Sequence, residues 1–385
     1  MVLSQPVQFA LRWLVENVPG MRDASGVIAA YCEWFQGVHE KTIRSGHEIG
    51  TIVALPRGLI ASTAWSTVRV WDIDKGAFVW SSTGHTGRIV KMVAVGDAKL
   101  VSASTDYTLR VWDVQTGTCL WTLVGHIDAV CTLAVLNNAK VISGSADRTV
   151  RVWNINTGVC LRTLVGHAGR ISALAVLKDK MMASRAIDQN VYACLNLAVS
   201  GSTDKTIRVW DTETGACLHE LFSHSWYVTV LATTKDGKLA SGSDDRTVRI
   251  WDVDTGVCLF ALKGHVSGIY SLVFLPSGKL ASGSCDGMVR VWDPTTGACL
   301  LSLVGHTDTV YSLAILNDGS LASASTDCTV RVWGMDTGAC LRTLVPDESI
   351  CETALYAFTE VHNMAVLGDG KLVSACFNEL MHIWH

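Results

Sequence analysis

The chain is predicted to be all-β, a ring of short four-stranded sheets stacked radially as a β-propeller. Three observations predict it. Tryptophans recur at Trp71, Trp112, Trp153, Trp210, Trp251, Trp292, Trp333 and Trp384, and five of the seven steps between them are 41 residues. A fixed period of this length marks a repeat architecture. Within each period, short β-branched and apolar runs alternate with turn signals, and helical periodicity is absent. A single twisted sheet has two faces to cover. Radial stacking covers both, and closure of the ring leaves only short edges exposed.

One full unit, residues 305–344, reads "GHTDTVYSLAILNDGSLASASTDCTVRVWGMDTGACLRTL". "TVYSLAIL" is the first strand. "NDG" is a hairpin signal, because glycine supplies the positive φ of a tight turn. "SLASAS" is the second strand, the segment around "TD" the next turn, and "TVRVW" the third strand. "DTG" turns again into "ACLRTL", the fourth.

Eight tryptophans give eight units, although the first and last are degenerate and seven blades remain open. The last unit, "VHNMAVLGDGKLVSACFNELMHIWH", stops at its third strand. "HEKTIRSG" (39–46) is a strand without a sheet, and it is expected to close the ring as the outer strand of the last blade. Two steps exceed the period. The 57-residue step carries "RAIDQNVYACLNLAVS" (185–200), and the 51-residue step carries ten extra residues around "PDESICETALY" (346–356). In unit four the second strand could be built from "KMMAS" or from "NLAVSGS". The latter runs directly into the turn holding Asp204, so it is preferred, and the extra residues then bulge from the loop between strands one and two. The clean join of "MMAS" to "GSTD" also fits an in-frame insertion or a retained intron. Residues 1–38 show helical spacing at Leu11, Leu14, Val15, Val18, Val27, Ile28, Tyr31 and Trp34, broken at Pro19-Gly20, and read as a short helical segment before the propeller at 39–385.

Units two to seven place polar residues at fixed offsets. Unit two has His85, Ser102, Asp106 and Trp112, and unit three has His126, Ser143, Asp147 and Trp153. The pattern continues as His167, Asp204 and Trp210; His224, Asp245 and Trp251; His265, Asp286 and Trp292; and His306, Asp327 and Trp333. Serine, histidine and aspartate invite a catalytic-triad reading. A hydrolase needs one such set beside an oxyanion hole rather than six dispersed copies. The structural reading is that each buried imidazole and carboxylate is matched by hydrogen bonds from its own set. Unit one, with "STAWST", lacks the aspartate, and unit eight has Asn378 in its place; these two blades are expected to be held less firmly. Arginine two places before the tryptophan recurs as Arg69, Arg110, Arg151, Arg208, Arg249, Arg290 and Arg331, and reads as framework within each blade.

With seven GH-type positions (His47, His85, His126, His167, His224, His265, His306) and the third-strand tryptophans, residues 39–385 resemble the WD40 family. The resemblance implies a network tying the loop before each first strand to the turn before the third. The wording "TGVCLRTLVGH" and "ASGSDDRTVRIWD" further resembles eight-bladed F-box/WD proteins. These are substrate receptors of ubiquitin ligases that read phosphorylated peptides on the propeller's top face. On that reading residues 1–38, with "AAYCEW" near their end, would take a ligase adaptor. A two-helix cap is the plainer reading.

Of 385 residues 49% are hydrophobic and 17% charged, with a net charge of −4. This allows a large core and gives no global basic field for nucleic acid or a membrane. No apolar run reaches the length of a bilayer span, and the N-terminus lacks a basic start, so neither a transmembrane helix nor a secretory signal is expected. Cys119, Cys160, Cys217, Cys258, Cys299 and Cys340 share one slot in successive units, which reads as a packed small apolar residue in a reducing cytosol or nucleus rather than a disulfide framework. No P-loop, dinucleotide fingerprint, zinc spacing or nucleophile elbow is present, so no cofactor, no metal and no enzymatic activity are expected.

Function is expected on the face that holds the histidine loops and aspartate turns, called the top. Three residues after each histidine come Gly50, Arg88, Ala129, Arg170, Tyr227, Gly268 and Thr309; one after each aspartate come Tyr107, Arg148, Lys205, Arg246, Gly287 and Cys328. Trp226 and Tyr227 are predicted binding anchors. Arg88, Arg148, Arg170, Lys205 and Arg246 are predicted to form a basic arc for a protein or peptide bearing carboxylates or phosphate. The expected role is an interaction scaffold or adaptor, with the ubiquitin-ligase substrate receptor as the alternative.

Overall fold

In a computed structural model the protein is described over residues 39–45, 48–183, 192–234, 237–345, 361–376 and 380–384. The expected helical segment at 1–38, His47, the insertion at 346–356 and Asn378 lie outside these residues. Among the described residues there are 32 strands in eight four-stranded antiparallel sheets, one per blade, and no helix. The blade count is therefore eight. Blades 1 to 7 occupy residues 49–82, 89–123, 130–164, 171–222, 228–262, 269–303 and 310–344. In each the four strands pair in chain order, and the first strands of neighbouring blades touch, so they line the centre of the ring.

Blade 8 is completed from the other end of the chain. Its strands Val361–Val366, Leu372–Cys376 and Leu380–Trp384 are joined on the outside by His39–Arg44, paired from Thr42↔His382 to Arg44↔Leu380. Ile43, Met381 and Ile383 pack with Ile49, Ile52, Ile60 and Trp71 of blade 1. Asn363 donates from Nδ2 to the Gly50 carbonyl at 2.9 Å, and Lys371 pairs with Asp74 at 2.9 Å across the same junction.

The core is a series of wedges between blades, not one central mass. Trp112 packs with Val68 and Val70 of blade 1, and Trp210 with Val150 and Val152 of blade 3. Each third-strand indole thus reaches back to the preceding blade, which is why the tryptophan recurs once per sheet. Removing one such buried ring costs about 3–5 kcal/mol.

In blade 4 the first two strands are Ile171–Ala183 and Tyr192–Ser202. Leu197 to Gly201 pair with Asp211 to Ile207 of the third strand, so "NLAVSGS" serves as the second strand. The hairpin continues past Leu177↔Leu197 to Ala183↔Tyr192. The extra residues, where described, lengthen a two-stranded ribbon on the bottom face.

Candidate functional site

The polar framework forms the same chain in six blades. In blade 2, Nε1 of Trp112 donates to Oγ of Ser102 at 2.8 Å; Oγ of Ser102 lies 2.8 Å from Nε2 of His85; Nδ1 of His85 lies 2.8 Å from Oδ2 of Asp106. A serine that accepts from an indole has its own proton to give to Nε2. That assigns the neutral imidazole its proton at Nδ1, where it donates to the carboxylate. The backbone N–H of Thr86 and the hydroxyl of Thr108 also donate to Asp106. The chain repeats at His126–Ser143–Asp147–Trp153, His167–Asp204–Trp210, His224–Asp245–Trp251, His265–Asp286–Trp292 and His306–Asp327–Trp333, with Ser200, Ser241, Ser282 and Ser323 in the four serine places not singled out from sequence.

Burial pushes the Asp106 carboxyl up, but its hydrogen bonds from Thr108, His85 and Thr86 outweigh that and hold it at about 2. The other five framework aspartates are lowered by the same opposition. Burial lowers His85, His126 and His265, against the pull of their aspartates. The framework serines are 0% exposed. A hydroxyl sealed under its own blade cannot attack a substrate, so these sets work as struts. In blades 1 and 8 the described residues show the lower half, Trp71 to Ser62 and Trp384 to Ser374, both at 2.9 Å.

The arginine ring also belongs to the framework. Arg110 lies so close to Gly84 that a Cβ there would meet its guanidinium at 2.7 Å, and Gly125, Gly166 and Gly305 meet Arg151, Arg208 and Arg331 likewise. The glycine before each of these histidines is therefore a close-approach requirement. Six of the seven guanidiniums also donate to the repeated cysteine, from Arg110 to Cys119 at 3.6 Å through Arg331 to Cys340 at 3.7 Å, while Arg69 donates to the Ser45 carbonyl. The reading of those cysteines as packed apolar residues holds for Cys160 and Cys258, which pack against the core, and is corrected for the other four. All six sit on the outermost strands, Cys119, Cys217, Cys299 and Cys340 exposed and Cys160 and Cys258 half-buried, as acceptors for arginine.

The turn that carries each aspartate has a backbone feature that the sequence reading did not extract. Tyr107, Arg148, Lys205, Arg246 and Cys328 all have φ between 68° and 72°, and Gly287 has 75°. Five non-glycine residues thus occupy the left-handed region, at roughly 1 kcal/mol or more each. The glycine in the sixth copy was the available signal. In blade 1 the shorter turn puts Trp65 at φ 53°, 62% exposed, an aromatic on the same face that the sequence reading missed.

Arg88, Arg148, Arg170, Lys205 and Arg246 are all exposed on the top face, in the consecutive blades 2 to 5, and none forms an ion pair among the described residues. The corresponding places in blades 6 and 7 hold Gly268, Gly287, Thr309 and Cys328. Trp226 (50% exposed) and Tyr227 (41%) stack with centroids 5.3 Å apart, and Nζ of Lys205 lies 5.3 Å from the Trp226 ring. Arg170 reaches inward to the thiol of Cys131, whose pKa burial nonetheless raises. Gly50 does not share the Arg88 slot. Ile49 pairs with Ala64 as Ile89 pairs with Ser104, which puts Gly50 opposite Val90, one strand position further in. Among the described residues no three His, Cys, Asp or Glu side chains cluster to hold a metal ion.

The family model "WD domain, G-beta repeat" (WD40) matches residues 76–113, 117–154, 158–211, 215–252, 256–293 and 297–334. Among solved structures the chain is similar to the crystal structure of the computationally designed Ika8 protein, at 31% identity and a TM-score of 0.74, over 89% of this chain and 97% of that one. No curated protein matches the chain.

Proposed function

We propose, from the premise that the chain belongs to the WD40 family, a fold that commonly mediates protein interactions, that it is a scaffold or adaptor whose top face holds an acidic or phosphorylated segment of a partner protein. The observation that carries this reading is the one-sidedness of the face. Among the described residues, five exposed cations without ion pairs occupy four consecutive blades beside Trp226 and Tyr227, while the corresponding places in blades 6 and 7 hold the uncharged Gly268, Gly287, Thr309 and Cys328. Such an arc offers charge-assisted hydrogen bonds along an extended peptide, with the aromatic pair as its anchor.

The test is fluorescence anisotropy with a labelled hexaglutamate peptide and a phosphoserine-containing peptide, against the double variant Arg148→Glu/Arg246→Glu. Binding that is lost in the variant and weakened by salt supports the arc. Equal affinity of both proteins would sink it. The substrate-receptor alternative depends on residues 1–38, and recovery of a ligase adaptor with the full chain but not with residues 39–385 would favour it. The free thiols of the described cysteines suit a reducing cytosol or nucleus.

A further inference from the structure

The centre of the ring is as one-sided as its rim. Every first strand except that of blade 4, which bulges again farther along its extended hairpin, carries one irregularity, near its top end, and the residue just past it pairs with a glycine or alanine of the second strand in blades 2 to 8. That place holds Thr132, Ala173, Val230, Ser271, Ser312 and Asn363 in blades 3 to 8. In blade 2 it holds Lys91, paired with the fully buried Ala103.

Lys91 is exposed, and on an innermost strand with neighbouring first strands on either side the solvent it meets is that of the central channel. It has no hydrogen bond or ion pair among the described residues. Burial by the surrounding wall lowers its pKa, and no carboxylate opposes that effect. Blade 6 stands diametrically opposite blade 2 in an eight-membered ring. There Tyr270 stacks edge-on against Tyr311 of blade 7 at 5.4 Å. Tyr270 is hydrogen-bonded to Asp244, and burial first and that carboxylate second push its phenol to about 12, so the phenol stays protonated as the donor to that carboxylate. One cation without a partner among the described residues thus lies across the ring from an aromatic pair whose carboxylate, Asp244, is already engaged by Tyr270, and it stands three residues along the chain from Arg88 of the rim.

We propose that the channel mouth is a socket for a single anionic group, a carboxylate or a phosphate, with Lys91 as its cation. The socket deepens the top-face reading and rests on it for its source of ligand: one acidic side chain of the bound segment turns down into the channel while its neighbours lie on the arc. A lone ammonium recognises such a group as a point charge.

The test follows the Nζ of Lys91 directly. Lysines are reductively methylated with 13C-formaldehyde, the Lys91 resonance is assigned by its loss in Lys91→Met, and hexaglutamate amide and inorganic phosphate are titrated separately. The expected result is a saturable shift of that resonance, and about tenfold weaker hexaglutamate binding by Lys91→Met with unchanged melting temperature. A shift with the peptide alone identifies a carboxylate socket, and a shift with both probes a general anion socket. A shift with phosphate while the peptide fails to bind would keep the socket and sink the arc. Peptide binding with the Lys91 resonance unmoved by either probe would overturn the socket and leave the arc standing.

Discussion

Lys205 of blade 4 lies over the indole of Trp226 of blade 5, 5.3 Å from its centroid. The contact joins a cation in a strained turn to a half-exposed ring, and neither residue belongs to the wedges between blades. Trp226→Ala is expected to weaken acidic-peptide binding while moving stability by less than about 0.5 kcal/mol. Differential scanning fluorimetry beside the binding assay separates the two effects. A fall of several degrees in melting temperature would make Trp226 a core residue instead of an anchor.

Asp147→Ala leaves Nδ1–H of His126 and two threonine-turn donors without their acceptor inside blade 3. The expected loss is about 1–3 kcal/mol, read by chemical denaturation. No loss would mean that the repeated polar set is incidental to the fold.

Acid should unmake the framework in two stages. His85, His126 and His265 have folded pKa values below the ordinary imidazole value of 6.5, and the framework aspartates lie below 3.8. All bind protons less readily folded than unfolded. Their stabilisation is therefore complete above pH 6.5, falls first as the unfolded histidines take up protons, and falls again below pH 3.8 toward the value near 2 held by Asp106. A melting temperature that rises between pH 7 and pH 5 would contradict this.

The left-handed turn residues trade stability for surface chemistry. Arg246→Gly relieves a φ of 69° and is expected to leave stability unchanged or raise it by up to about 1 kcal/mol while weakening peptide binding. Gly287→Ala does the reverse. It adds a Cβ 2.9 Å from the carbonyl oxygen of His306, at φ 75°, for an expected cost of about 1–2 kcal/mol. Equal melting curves for wild type and Gly287→Ala would show that the turn carries no strain.

The tryptophan period was enough to read the ring, because one buried indole per sheet is a requirement of wedge packing. The offsets from His85 to Asp106 and Trp112 likewise carried the geometry of the strut. What was lost lay where spacing and space part company. The cysteine slot accepts from arginine in six blades, and only Cys160 and Cys258 also pack against the core, a difference its periodicity could not show. Gly50 was misplaced because unit one departs from the common spacing ahead of its first strand. Lys91 escaped notice because a strand position's exposure depends on whether its strand is innermost, and that is a property of the closed ring. The arc's cations were visible as residues, but their confinement to blades 2 to 5 became meaningful only with the order of the blades around the circle.

The seam at blade 8 has a mechanical side. His39 stands opposite Trp384, and Arg44 opposite Leu380, so the chain enters and leaves this strand pair at the same end. Tension applied at residues 39 and 384 would fall on one residue pair at a time, peeling the pair like a zip instead of shearing all its bonds together. The ring would then open under a directional pull at one known place and in one known order.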